Sequence, residues 1–148
     1  MATDPLQPHR HTNNTVVPSG DPGITLHLGQ TRKHLSLEEL QRYPATTLTY
    51  SYTTDHGDHG PYELTGTLLS DLVEAFYSAW TAAEVLSADG FGNRVVRREV
   101  GPENRVLLCY RANGEPLSRE HGLVRLVVPS ETDNALRQIK WIRDIYVK

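Results

Sequence analysis

The sequence predicts an α+β domain, in which a mixed β-sheet or partial barrel carries a few short helices. Many short segments alternate apolar and polar residues, which is the period of a half-buried strand. Clusters of Gly, Pro, Asn and Asp separate these segments, as is typical of turns. Apolar residues recur at helical spacing in two short stretches, so the helices are expected to be a minor part of the fold.

Length and composition limit the domain organisation. The chain has 148 residues, the length of one domain. Residues 1–22 carry four prolines among polar residues and have little to bury, so they are expected to form a flexible or loosely docked arm. Residues 23–148 form the single predicted domain.

The first elements of this domain have local sequence signals. Ile24–Leu28 alternates apolar and polar residues and is predicted to be a strand. Ser36 opens the sequence Ser-Leu-Glu-Glu, a capping-box pattern that predicts a short helix over Leu37–Arg42. Thr46–Thr54 is rich in Thr and Tyr, which favours a second strand.

A hairpin and a second helix are predicted next. Asp55–Pro61 has the composition of a loop, and Tyr62–Thr65 is expected to return as the hairpin partner of the preceding strand. Leu68–Ser78 has apolar residues at helical spacing and is predicted to be a helix.

The second half of the chain is predicted to consist mainly of strands separated by turns. Arg94–Val100 fits either a short strand or a turn, and Leu136–Arg143 could begin a helical turn. Asn113 and Gly114 form a hairpin turn signal. The predicted strands are Trp80–Ala88, Arg105–Arg111, Leu123–Val128 and Ile145–Val147.

Charge and hydropathy exclude several classes of protein. A net charge of −3 argues against general nucleic-acid binding and gives no electrostatic reason to bind a membrane. No window approaches the ~18 apolar residues of a membrane span, so direct membrane insertion is not expected. The amino terminus lacks the apolar core of a signal peptide, so the protein is expected to be cytoplasmic, or periplasmic and exported if a leader was removed.

Two potential reactive sites have simpler interpretations. His56 and His59 lie near two aspartates, but no third His or Cys ligand is adjacent, so a solvated hairpin loop is favoured over a metal site. Cys109 is the single cysteine and lies in an apolar strand, so we expect a small buried side chain rather than a nucleophile. No intramolecular disulfide can form.

A candidate ligand-binding site combines an acidic turn with cations and an indole. Asp89 follows a strand, where its carboxylate could accept hydrogen bonds from an aminopyrimidine-like edge. Arg125 could hold a carbonyl or anionic oxygen, and Trp141 could stack on a ring. The alternative is a core tryptophan with solvated cationic neighbours, and the pattern alone favours neither. The predicted ligand-binding residues are Asp89, Gly90, Phe91, Arg125, Lys140 and Trp141.

Several segments, in order, resemble the molybdopterin-binding domain of the sulfite oxidase family. They carry a Thr-Gly before an apolar run, an Asp-Gly before an aromatic residue, Asn-Gly-x-Pro-Leu, a His-Gly before a strand ending in Pro, and a Lys-Trp near the end. The segments are Tyr62–Val73, Ala88–Phe91, Asn113–Leu117, His121–Pro129 and Lys140–Val147.

The resemblance implies a sulfite oxidase-type fold that binds a pterin. Full-length members hold molybdenum through a cysteine in a loop well before the Asn-Gly turn, and this chain has no counterpart, so no molybdenum is expected. The chain looks closest to short stand-alone relatives that bind a pterin without metal and pass the signal to a membrane protein.

The resulting expectation is a domain that binds, and senses, a pterin rather than an enzyme. Its partners would be a small-molecule pterin and a membrane signalling protein, with no nucleic acid. Asp89 would meet the polar edge of the pterin ring, Arg125 an oxygen and Trp141 the π-face. Two alternatives stay open: a molybdenum-cofactor-dependent oxidoreductase domain or subunit, and a protein-interaction module with a degenerate pocket.

Overall fold

Two five-stranded β-sheets make up most of the protein in a computed structural model, which describes residues 23–131 and 137–148. The predicted arm, residues 1–22, lies outside the described residues. Within the described ranges, no helix is long and apolar enough to span a membrane.

The order of elements along the chain is mainly β. The helical elements are α1 (Leu37–Leu40), α2 (Leu69–Glu74) and a 3₁₀ turn at Arg97–Glu99. The strands are β1 (Ile24–Leu28), β2 (Thr31–Leu35), β3 (Ala45–Thr54), β4 (Gly57–Leu68), β5 (Ala82–Ser87), β6 (Gly92–Val96), β7 (Leu107–Ala112), β8 (Glu115–Pro116), β9 (Arg125–Val127) and β10 (Ile142–Val147).

The two sheets differ in how their strands pair. The first sheet, sheet A, has the order β2-β1-β10-β5-β6, and β1 runs parallel to β10 while the other pairs are antiparallel. The second, sheet B, has the order β3-β4-β7-β8, with β9 also paired to β7, and is antiparallel throughout. The predicted mixed sheet is therefore confirmed for sheet A.

The fold class is closer to mostly β than to the predicted α+β. Both predicted helices exist, and the capping box at Ser36 forms, but α1 has four residues and α2 has six. Among their side chains, α1 buries Leu40 and α2 buries Leu69, Leu72 and Val73. The helical spacing in the sequence therefore corresponds to about one buried helical turn in α1 and in α2, and the helices do not form a layer of their own.

Strand β7 of sheet B is buried on both faces, which explains its apolar run. Leu108 and Tyr110 of β7 pack in the larger core, with side chains from sheet A and from both helices. Leu107 and Cys109 face the opposite way, into a smaller core with Tyr50 and Tyr52 of β3. Successive residues of a strand point to opposite faces, so a strand covered on both sides needs an almost continuous apolar sequence.

Three local predictions need correction or refinement, and one strand was not predicted. The predicted loop Asp55–Pro61 is mostly strand, because β4 begins at Gly57 and only residues 55 and 56 form the turn. Strand β2 was not predicted, since four of its five residues are exposed and its sequence does not alternate. Arg94–Val100 contains both the end of β6 and the 3₁₀ turn. The predicted helical turn Leu136–Arg143 is wrong at its end, where two residues belong to β10, while Leu136 lies outside the described residues.

Gly66 permits the close approach of β4 and β7. It lies at a register shift between these strands, and a Cβ placed on it would be 2.1 Å from the carbonyl oxygen of Leu108. That contact is with backbone, which cannot move aside as a flexible side chain can. The sheet that carries the smaller core therefore requires glycine at this position.

We predict that Gly66→Ala lowers the free energy of unfolding by about 1–3 kcal/mol or more, through overpacking. Gly101→Ala is the matched control, because a Cβ at Gly101 meets nothing within 4 Å. Urea denaturation followed by circular dichroism measures both variants. Equal stability of the two variants would contradict the close approach.

Candidate functional site

The site is built where four segments meet at the end of sheet A. These segments are the β5–β6 turn, the loop between β8 and β9, the start of β9 and the residues that precede β10. Backbone hydrogen bonds join them: Trp141 N–H donates to the Gly122 oxygen at 3.0 Å, and Ala88 N–H donates to the Trp141 oxygen at 2.8 Å. Residue 141 therefore connects the β8–β9 loop to the turn that contains Asp89.

Gly122 lies between two cationic side chains. Its φ is +105°, and a Cβ there would be 2.9 Å from Cγ of Arg125 and 3.1 Å from Cβ of Lys140. Glycine meets both requirements, since it adopts positive φ readily and has no side chain. The His-Gly pair in the sequence therefore has a packing role beside two of the predicted site residues.

Trp141 is a buried anchor of the β8–β9 loop. Its indole is 5% exposed, its Nε1 donates to the Arg119 oxygen, and the Lys140 ammonium lies 5.4 Å from the ring centroid. A cation at this distance is attracted to the ring. Since so little of the indole is exposed, a ligand can meet at most a small part of it in this conformation.

Asp89 organises the turn between β5 and β6. Its Oδ1 accepts a hydrogen bond from the Ser87 hydroxyl and a long one, 3.5 Å, from Phe91 N–H. Asp89 N–H in turn donates to Ser87 Oγ at 3.1 Å, and Ser87 N–H donates to the Phe91 oxygen at 2.8 Å. Gly90 has φ +94° and is exposed at the tip.

Arg125 is a buried cation in a short strand. It is 1% exposed, and its guanidinium donates to the His121 oxygen at 3.3 Å and to Gln138 Oε1 at 2.8 Å. Removing an ion from water is costly unless hydrogen bonds replace the lost hydration. These bonds tie β9 to the β8–β9 loop and to the chain that precedes β10.

Gln138 has a fixed orientation beside this cation. Because Arg125 is a donor only, it requires the oxygen of the Gln138 amide to face it, so Nε2 points the other way. Nε2 is buried and has no well-formed hydrogen bond to residues 23–131 or 137–148, although the Gln138 amide interacts with the Tyr50 hydroxyl in the sense that lowers the pKa of Tyr50. A buried N–H with an incomplete hydrogen bond is costly, so a ligand oxygen or ring nitrogen that reached it would be stabilised.

The smaller core beside Arg125 holds two groups that titrate abnormally. Burial raises the pKa of Cys109 to about 11, and the nearby charge of Arg125 offsets that effect only in part. Burial also raises the pKa of Tyr50, whose hydroxyl donates to the Glu131 oxygen at 2.6 Å. Both groups are therefore neutral at physiological pH.

Cys109 does not have the properties of a metal ligand. A metal is bound by the thiolate, whereas this thiol is fully buried, has a raised pKa and donates to the Arg111 oxygen. In the described parts of the chain, no group of three or more His, Cys, Asp and Glu residues could hold a metal ion. In this conformation Cys109 is therefore a packing residue and not an available thiolate.

The six predicted residues lie in connected segments, but they are unequally exposed. Arg125 and Trp141 are buried, whereas Asp89, Phe91 and Lys140 are half-buried. Sequence reasoning missed Gln138, which is polar within a polar stretch and gave no signal. It also left His121 and Gly122 outside the predicted site, although the His-Gly pair was part of the family resemblance.

Comparison with known proteins identifies the family of this chain. The model of the family described as the oxidoreductase molybdopterin binding domain matches residues 23–148. The match covers the same residues as the predicted domain and confirms the resemblance seen in the sequence.

The curated relatives include a sulfite oxidase and a nitrate reductase. Human mitochondrial sulfite oxidase is 44% identical over 52 residues, which are 34% of this chain and 9% of that protein. An inducible NADH nitrate reductase of Glycine max is 32% identical over 85 residues, or 54% of this chain and 9% of that protein. This chain therefore matches about a tenth of the length of each relative.

A solved structure shows the same fold. The crystal structure of the sulfane dehydrogenase SoxCD from Paracoccus pantotrophus superposes with a TM-score of 0.70 and 23% sequence identity. The match covers 88% of this chain and 40% of that one.

We predict that Gly122→Ala lowers the free energy of unfolding by more than the backbone strain of a non-glycine residue at positive φ would alone. Gly57→Ala is the matched control, since Gly57 has φ +103° but meets nothing within 4 Å. Both variants lose about 1–2 kcal/mol from backbone strain, and Gly122→Ala loses a further ~1–3 kcal/mol because Arg125 and Lys140 must move. Urea denaturation of the two variants measures the difference, and equal losses would contradict the described packing.

We predict that the native Cys109 thiol resists alkylation. With a pKa of about 11, only about one thiol in a thousand is ionised at pH 8, and burial hinders access further. Iodoacetamide labelling followed by intact mass spectrometry should be at least roughly a hundredfold slower than for the urea-unfolded chain. Rapid stoichiometric labelling of the folded protein would show that the thiol is accessible.

Proposed function

The chain belongs to the oxidoreductase molybdopterin-binding domain family, and we propose that it binds a pterin. In this proposal no cysteine thiolate of the protein holds molybdenum. The observation that carries the proposal is the hydrogen bond from buried Arg125 to half-buried Gln138, which orients the Gln138 amide with its buried N–H facing away from the guanidinium. A bound pterin would present a planar ring with a carbonyl, an amino group and ring nitrogens to these side chains.

Each residue of the proposed site has a distinct role. Gln138 Nε2 donates to the ring carbonyl or to a ring nitrogen, while Arg125 holds the amide in place from behind. Asp89 accepts from the amino edge, with Gly90 and Phe91 forming the end of the turn beside it. Lys140 supplies a positive charge near the ring, and Trp141 supports this arrangement and contributes the exposed part of its indole.

Sensing is the biological role that best suits binding without catalysis. Gly122, which positions Arg125 and Lys140, belongs to the same loop that the Trp141 indole anchors. A ligand that contacts Gln138 would therefore act on the loop through Arg125. Neither the fold nor the matched relatives support the membrane signalling partner that was expected from the sequence.

We predict that titration with tetrahydropterin or oxidised pterin quenches tryptophan fluorescence in the native protein. Trp80 is the second tryptophan, is fully buried, and donates to Glu74 away from the site. Trp141→Phe should therefore remove the quenching while leaving the emission of Trp80. Absence of binding by equilibrium dialysis at millimolar pterin would overturn the proposal.

We predict that Gln138→Glu weakens pterin binding by about tenfold or more, since it removes the donor. The glutamate keeps the shape of the side chain and still accepts from Arg125, so the fold is retained. Gln30→Glu, at an exposed turn, is the control for the added negative charge. Unchanged affinity in Gln138→Glu would remove the amide from the proposed contact.

A second candidate is an oxidoreductase domain or subunit that uses molybdenum cofactor. The names of the matched relatives, sulfite oxidase and nitrate reductase, favour it. Metal analysis after expression in a host that makes the cofactor separates the two candidates. Stoichiometric molybdenum that persists in a Cys109→Ser variant would favour this second function, with ligation that does not use Cys109.

A further inference from the structure

The outer strands of the two sheets differ in how they are protected against pairing with another chain. An exposed strand edge has unpaired backbone groups, and proteins usually guard such edges with charges, proline or short length. Strand β2 carries Arg32, Lys33 and His34, and β6 has five residues including Arg94. Strand β8 has two residues, one of them Pro116.

Strand β3 lacks these protective features. It is ten residues long, Ala-Thr-Thr-Leu-Thr-Tyr-Ser-Tyr-Thr-Thr, with no charge, glycine or proline. In the described part of the chain it pairs with β4 on one side and ends the sheet on the other. Its outward face is polar and exposed, while the opposite face, including Leu48, Tyr50 and Tyr52, is buried in the smaller core.

The regularity of β3 also suits it to strand pairing. Tyr50 lies opposite Tyr62 and Tyr52 opposite His59, so the one extra residue of this bulge belongs to β4. Strand β3 itself therefore continues without an inserted residue along its outer edge. On its outward face, Thr47 already hydrogen-bonds across the sheet to Thr65 at 2.8 Å.

We propose that β3 pairs with β3 of a second copy of this chain, antiparallel and centred on Tyr50. This register places Thr49 opposite Ser51 and Thr47 opposite Thr53 of the other copy. Small hydroxyl side chains then meet across the two-fold axis, and such pairs are favourable. The strand contains no charge that would repel its counterpart.

Charges beyond the strand ends select the second copy and its antiparallel direction. Arg42 precedes β3 and is 72% exposed, with a 3.7 Å surface pair to Glu38 that is worth little. Asp55 follows the strand in the β3–β4 turn, Asp58 lies next to this turn on β4, and both are exposed. The proposed register places Ala45 opposite Asp55 of the other copy, so Arg42 lies toward the acidic β3–β4 turn of that copy at both ends of the interface, whereas a parallel pairing would bring the aspartates together.

Two double variants test both the interface and its register. Thr49→Lys with Ser51→Lys puts like charges opposite each other twice, and should weaken the dimer roughly tenfold. Thr49→Lys with Ser51→Glu puts Lys opposite Glu twice, and should keep the dimer at least as tight as the native one. Gln30→Lys with Thr31→Lys, at the β1–β2 turn, is the control for added positive charge.

Sedimentation equilibrium of the full chain measures the dissociation constants, and circular dichroism confirms that each variant is folded. A concentration-dependent dimer that weakens only in the Lys-Lys variant supports the proposal. A native chain that stays monomeric at roughly millimolar concentration would overturn it, as would a Lys-Lys variant that dimerises normally. Equal weakening of both β3 variants would also overturn it, because the proposed register requires them to differ. This result is independent of pterin binding.

Discussion

The hydrogen bonding of one buried cation, Arg125, constrains the rest of the site. A guanidinium that is 1% exposed must exchange its hydration for protein acceptors. It does so with the His121 oxygen and the Gln138 amide, which belong to segments on either side of β9. The loop before β9 can approach because Gly122 has no side chain, and the chain before β10 follows because Trp141 hydrogen-bonds to Gly122. The turn at Asp89 joins them through Ala88.

The same cation lies beside the single cysteine on the neighbouring strand. Burial affects the pKa of this cysteine more than the neighbouring charge does. Cys109 is the register partner of Arg125, and a positive neighbour favours a thiolate. The pKa of Cys109 nevertheless rises to about 11, because desolvation destabilises the thiolate more than the positive charge of Arg125 stabilises it. The family supplies a pterin-binding fold, while this cysteine stays a packing residue. Recognition of a pterin by this chain therefore does not require Cys109 to ligate a metal.

The sequence predicted features that depend on local patterns and missed those that depend on distant partners. The capping box at Ser36, strand β1 and the Asn113–Gly114 turn formed as predicted, because each is encoded within a few residues. Strand β2 was missed because its pairing with β1, not its own exposed sequence, makes it a strand. Gln138 was missed because its role arises from an arginine thirteen residues away in the chain. The six predicted site residues were proposed from side-chain chemistry and lie in segments that resemble the family, but their burial could not be read from the sequence.

The most direct test of the central claim is the side-chain amide resonance of Gln138 in a ¹⁵N–¹H NMR spectrum during pterin titration, assigned by its loss in Gln138→Glu. If Arg125 holds this amide toward the ligand, its resonance shifts with the same saturation curve as the quenching of Trp141. A pterin that binds with full quenching while the Gln138 amide stays unchanged would contradict the account. The ligand would then be recognised by other groups, and the buried pair would serve the fold alone.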